Sequence, residues 1–230
     1  MRVSCRGRQR LAAERSSMTV MSGSITGERS TARLPREERR AQLLIAAREV
    51  FVAQGYHTAG MDDIAERAGV SKPVLYQHFP GKMELYLALL DEGIAALLEN
   101  LRAAMATTTD NRQRVRAAVA SYFAFIDNPD SPYRLVFESD LTHDPQVRER
   151  VERADDECAG LFSRVIAADT GLSQEQAHLL AAGLLGMAHV AARRWLRDRN
   201  NVPANQAVDL IASLGWRGIG GFPLSHPPTD

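Results

Sequence analysis

The stretch "AGVSKPVLYQHFPGK", residues 68–82, decides how the chain is read. It holds both lysines of the protein, Lys72 and Lys82, and each falls in the first turn of a predicted helix. The positive end of the helix macrodipole repels a cation there. The spacing therefore predicts a negatively charged partner, and phosphate is a good candidate at helix N-termini. Gly69 stops the preceding short helix around Met61–Ala68, and Ser71 is placed to cap the helix that runs to about Phe79. Two short helices joined by a tight glycine turn form a helix-turn-helix, whose second helix enters the DNA major groove.

A wheel drawn at about 100° per residue divides that second helix. With Leu75 turned inward, Ser71 and Phe79 lie beside it, Pro73 and Gln77 point outward, and Val74 and Tyr76 occupy the flanks. Lys72 and His78 stand at the edges of the buried face. An amide such as Gln77 bonds a base edge, while Pro73 and Val74 suit a thymine methyl. Lys72, Tyr76 and His78 suit backbone phosphates, and Lys82 begins the next helix with an ammonium beside free backbone donors. Singly, each feature has a bland reading, since glycine turns and surface histidines occur in any helical bundle. Their conjunction favours double-stranded DNA.

The rest of the chain reads as helix. Pro35 opens a helix with apolar residues at Leu43, Leu44, Ala47, Val50 and Phe51, and Gly55 ends it. Further helices are predicted from Lys82 to about Met105, over Arg112–Asp127, from Ser131-Pro132, after Asp144-Pro145, from Ser173 with Gln176 as a capping box to about Asp198, and over about Ala204–Leu214. No strand-length alternation and no internal repeat interrupt this all-α pattern.

At 230 residues, with 45% hydrophobic and 24% charged residues, the composition is that of an ordinary soluble globular protein. Formal net charge is zero, yet residues 1–40 carry ten arginines against four acidic residues. That basic tail, residues 1–33, is expected to be disordered, and Met18 and Met21 are alternative starts. Cys5 and Cys158 are too few for a disulfide scaffold, and Cys158 sits on an apolar stripe as an inert thiol. No apolar run is long enough for a membrane span, and the first residues lack a signal-peptide core, which points to the cytoplasm and to no membrane partner. The acid and histidine clusters His143-Asp144 and "ADDE" at 154–157 yield no nucleophile–base arrangement, so neither a catalytic nor a metal site is assigned and no cofactor is expected.

The segment "GYHTAGMDDIAERAGVSKPVLYQHFPGKMELY" resembles the DNA-binding domain of TetR-family bacterial transcriptional regulators, and "RAQLLIAAREVFVAQGY" resembles that family's entry helix. The resemblance spans about residues 36–86. It implies a homodimer with a three-helix helix-turn-helix domain at 34–81 and a helical effector-binding and dimerisation domain at 82–222, followed by a tail at 223–230. Carried over by position, Lys72, Pro73, Val74 and Gln77 face bases, and Tyr76, His78 and Lys82 hold phosphate. The family often has Thr-Thr or Thr-Ser where this chain has Ala59-Gly60, so a capping hydroxyl that touches phosphate is missing.

"TTTDNRQR", "YRLVFESD", "AADTGLS", "GLLGM" and "WRGIGGFPL" resemble the FasR type within that family. This implies control of fatty-acid biosynthesis genes and a long-chain acyl-CoA effector. Another hydrophobic effector, or a DNA-coating protein blind to sequence, are the rival readings. Phe123, Phe137, Phe162, Leu184 and Met187 lie on apolar faces of successive helices and are the candidate effector contacts, although such faces more often form plain core. Gly183 and Gly186 leave room for an acyl chain or for close helix packing. The family's four-helix dimer bundle would use Leu180, Leu184, Trp195, Val208, Ile211 and Leu214.

Overall fold

A computed structural model describes residues 34–128, 140–198 and 201–217. Within these, eight α-helices follow one another: α1 Arg36–Gln54, α2 Met61–Ala68, α3 Lys72–His78, α4 Lys82–Ala106, α5 Asn111–Asp127, α6 Pro145–Thr170, α7 Gln174–Arg197 and α8 Ala204–Arg217. A short 3-10 turn, Asp140–His143, precedes α6. The described residues contain no strand, as the all-α reading expects. The helix expected from Ser131-Pro132, the basic tail and the C-terminal tail lie outside the described residues.

The helix ends follow local chemistry. Gly55 and Gly69 take positive φ of 78° and 66°, a region that costs other residues a Cβ clash, and they end α1 and α2. Asp144 caps α6, its Oδ1 accepting from the amides of Gln146 at 2.8 Å and Val147 at 3.3 Å. Ser173 and Gln176 form the expected reciprocal capping box on α7. Ser71 departs from expectation: it is the N-cap residue of α3, but its side chain makes no capping bond.

Three apolar cores hold the helices. In the first, Leu43, Ala47 and Phe51 of α1 meet Ile64 of α2, Leu75 of α3, and Leu85, Tyr86 and Leu89 of α4. Phe51, Tyr56 and Tyr86 interlock there, with Tyr86 edge-on to Phe51 at 5.7 Å and to Tyr56 at 5.1 Å between centroids. Leu141, from the 3-10 turn, and Val147, from the start of α6, complete this core. The second joins Phe123 and Ile126 of α5 to Trp195 of α7 and Val208 of α8. The third joins Leu98 and Leu101 of α4 to Ala118 and Cys158.

The cap at Asp144 orients the turn that feeds Val147 into the first core. Asp144→Ala should lower stability by about 1 kcal/mol. Urea unfolding followed by far-UV circular dichroism checks this, and an unchanged midpoint would show the cap to be idle.

Candidate nucleic-acid interface and effector cavity

Helix α3 is anchored by two side chains. Leu75 is fully buried and Phe79, just past the helix, is 3% exposed. The remaining residues divide as the wheel predicts: Lys72, Pro73, Tyr76 and Gln77 are exposed, and Val74 and His78 are half-buried. The structure thus brings the six α3 candidates onto one short helix with its outer face open. Gln42 of α1 donates to the Ala68 carbonyl at 2.8 Å, fixing the end of α2 just before the turn. Arg40 of α1 lies over the Phe79 ring, 4.8 Å from its centroid.

Both lysines find partners inside the chain. Lys72 Nζ is 2.6 Å from a carboxylate oxygen of Asp62, in the first turn of α2. That contact raises the Lys72 pKa, first through the hydrogen bond and then, after a small desolvation penalty, through the charge of Asp62. Lys82 Nζ donates to three carbonyls, of Tyr56 at 2.8 Å, His57 at 3.2 Å and Ala59 at 2.9 Å. It also lies 4.5 Å from the centroid of the Tyr56 ring. Three carbonyl oxygens occupy the three donors of an ammonium. The placement of the lysines therefore needs no external anion, which corrects the electrostatic argument from sequence. Lys82 clamps the α1–α2 loop to the start of α4. Sequence could not show this, because the acceptors are backbone atoms more than twenty residues away.

The missing hydroxyl at Gly60 is partly offset. The Gly60 amide donates to Asp63 Oδ2 at 3.0 Å, so the N-cap backbone donor is satisfied from within α2.

Beside the first core, helices α4, α5, α6 and α7 line an apolar cavity of about 400 Å³, open on one side. This lies in the range of small-molecule sites. Of the candidate effector contacts, Phe162, Leu184 and Met187 line it. Phe123 does not: it is buried against Trp195, with ring centroids 5.4 Å apart, in the second core. Phe137 lies outside the described residues. Ile94, Leu97, Tyr122, Phe125 and His189 also line the cavity. They sit on the same apolar stripes as core residues, so periodicity gave no signal to separate them.

The polar groups of the wall are few. Tyr122 Oη and His189 Nδ1 are 3.0 Å apart. Burial, followed by the nearby charge of Arg193, lowers the His189 pKa, which leaves the ring neutral near pH 7. Asp155 is exposed at the rim but partly desolvated there; that desolvation, then the charge of Asp156, raises its carboxyl above its ordinary value. Burial pushes the Cys158 thiol up to about 12, in keeping with the inert role expected of it.

Residues 43–89 match the family model described as bacterial regulatory proteins, tetR family. The HTH-type transcriptional activator FasR of Mycolicibacterium smegmatis is 48% identical over 200 residues, covering 87% of this chain and 91% of that protein. The chain belongs to the TetR family. It is a helix-turn-helix transcriptional regulator and not an enzyme. A TetR-like regulator from Rhodococcus sp. RHA1, 29% identical, shares this TetR architecture at a TM-score of 0.65, over 83% of this chain and all of that one. The regulator FadR of Bacillus subtilis, solved with stearoyl-CoA, has a TM-score of 0.64 over 78% of this chain and 98% of its own. At 18% identity it is similar in fold alone.

The two lysines of this TetR-family chain should separate on substitution. Lys82→Met removes charged hydrogen bonds to three carbonyls and should cost about 1–3 kcal/mol. Lys72→Ala breaks an exposed pair and should leave the melting temperature unchanged. Calorimetry of the two variants checks this, and equal melting temperatures would contradict the clamp assigned to Lys82.

Proposed function

We propose that this TetR-family regulator acts as a homodimer on a two-fold DNA operator, controlling fatty-acid biosynthesis genes in response to a long-chain acyl-CoA. The observation that carries the reading is the pairing of an open, polar α3 face with a separate apolar cavity on one set of helices. DNA reading falls to residues 34–81, and effector binding and dimerisation to residues 82–222.

On the DNA side, Gln77 bonds a base edge while Pro73 and Val74 pack against a thymine methyl. Lys72, Tyr76 and His78 hold phosphates. Lys72 reaches a phosphate by exchanging an exposed carboxylate partner, and Asp62 then bears part of the cost. Lys82 contributes its charge and the amides of the α4 start while its ammonium stays on the loop. Two-fold symmetry sets the two α3 helices about 34–36 Å apart, one turn of DNA.

The dimer reading is supported by an apolar surface on α7 and α8. Leu179 is 75% exposed and Val190 68%, and Leu180, Leu210 and Trp216 are also exposed. This differs from the set expected from sequence: Trp195 and Val208 are buried within their own chain, and Leu184 lines the cavity. Leu180 alone of the expected set is strongly exposed, with Ile211 and Leu214 half-buried.

An acyl-CoA suits the cavity because its wall is apolar, with polar groups confined to Tyr122–His189 and to Asp155 and Asp156. The similarity to an activator named FasR and the fold shared with a stearoyl-CoA-bound FadR support the same class. A regulator of this kind works in the cytoplasm, and no described helix is long and apolar enough to cross a membrane.

Gel shifts against the protein's own upstream region and a fatty-acid-synthesis promoter test the proposal. Gln77→Ala should weaken the specific complex about tenfold while leaving a scrambled duplex unaffected. Acyl-CoAs of increasing chain length should alter the shift. Equal binding to all duplexes would favour a DNA-coating role. A specific shift that responds to no acyl-CoA would leave another hydrophobic effector.

A further inference from the structure

The effector cavity is not closed by one chain. Its α7 wall includes Ala182, Gly186 and Val190, all three exposed, and across from them stand Asp155 and Asp156 of α6, also exposed. Gly186 and Val190 belong at the same time to the apolar stripe Leu179, Gly183, Gly186, Val190. These residues recur at i, i+4, i+7 and i+11, one face of a helix. The opposite side of α7, with Ala181, Ala188, Ala192 and Trp195, is buried within the chain. The rim of the cavity and the outward stripe therefore share residues.

We infer that a second copy of this chain, seated on the α7 stripe, completes the wall of the effector cavity. This rests on the dimer reading above. The stripe is complementary to itself about the middle of α7, between Leu184 and Leu185. An antiparallel copy crossing there sets Leu179 opposite the partner's Val190 and Gly183 opposite the partner's Gly186. It also brings Glu175, in the acidic first turn, toward the basic last turns of the partner's helix. A Cβ at Gly183 or Gly186 would meet nothing within 4 Å inside the chain, so the chain's own packing does not require glycine there. Glycine at the crossing lets two backbones approach closely. Two-fold self-complementarity of one patch is the geometry of an isologous interface.

Linkage follows from a shared wall. A ligand that touches residues ordered by the partner binds the dimer more tightly than the monomer. The dimer must then tighten by the same factor when the ligand is bound. Apolar surface at Val190, exposed to water in a single chain, becomes a dry wall only when both copies are present.

The test uses Cys158, which lines the cavity, as a reporter in a Cys5→Ser background. Leu179→Arg with Leu210→Arg places charges on the exposed face without touching the cavity lining. Sedimentation should show a dimer for the parent and a monomer for the variant, with equal helicity by circular dichroism. Cys158 reacts slowly in either state because its pKa is raised, so the ratio of the two rates is read: methyl methanethiosulfonate should modify it about tenfold faster in the monomer, where the cavity mouth is uncovered. Dilution of the parent through its dissociation range gives the same comparison without substitution. A dimer whose Cys158 reacts at the monomer's rate overturns this inference and leaves the dimer standing. A parent that is monomeric at all concentrations overturns both. Stearoyl-CoA, titrated into parent and variant, reports separately on the effector class: binding to the parent but weaker binding to the variant supports the shared wall, and equal affinity for both contradicts it.

Discussion

Helix α4 is buried twice, in two different cores, and the rest of the molecule is organised by that fact. Its first half carries Leu85, Tyr86, Leu89 and Leu90 into the core that holds α1, α2 and α3. A few residues later Gly93, Ile94 and Leu97 form part of the cavity wall. Helix α6 repeats the arrangement in the same order: Val147 is fully buried in the first core, and Val151, Ala154 and Cys158 follow it along the cavity. Two helices therefore join the helix-turn-helix to the apolar cavity. Ion pairs mark the junction, with Arg48 of α1 3.5 Å from Glu92 and Arg150 of α6 2.9 Å from Asp91. A shift of α4 at Ile94 cannot leave Leu89 where it was, because close-packed interiors transmit displacement.

The electrostatics around α3 show how a small motif is kept in shape by its own chain. A seven-residue helix has too few internal hydrogen bonds to be stable alone. Leu75 and Phe79 supply its burial, Asp62 offsets the Lys72 charge at its unfavourable end, and Lys82 ties the α1–α2 loop to the helix that follows. The outward residues Pro73, Tyr76 and Gln77 stay exposed, which leaves that face of α3 open to a partner.

Much of this was legible from residues alone, and the rest was not for physical reasons. The helix-turn-helix was readable because its signals are local: Gly55, Gly69 and the period that turns Leu75 inward each act within a few residues. The Asp144 and Ser173 caps are local in the same way. The lysine partners were not readable, since three backbone carbonyls leave no mark in a side-chain pattern. Ser71 has the type and position of a capping residue, yet its hydroxyl makes no such bond. The cavity was half legible, because periodicity reports that a face is turned from water but not whether protein or empty space lies behind it. Phe123 and Phe162 have the same pattern; one packs on Trp195 and the other borders the cavity. Trp195 and Val208 misled for the same reason, being claimed by the chain's own core rather than by a partner.

The claim that DNA-reading and effector-binding parts share one core is tested most directly by amide hydrogen exchange on Val147→Ala. The substitution removes two methyl groups from α6 where it enters the first core, far along the chain from α1 and α2. The account predicts lost protection not only around Val147 but also across Leu43–Phe51 of α1 and Ile64–Ala68 of α2, as one cooperative unit. Loss confined to α6, with α1 and α2 protected as before, would contradict it.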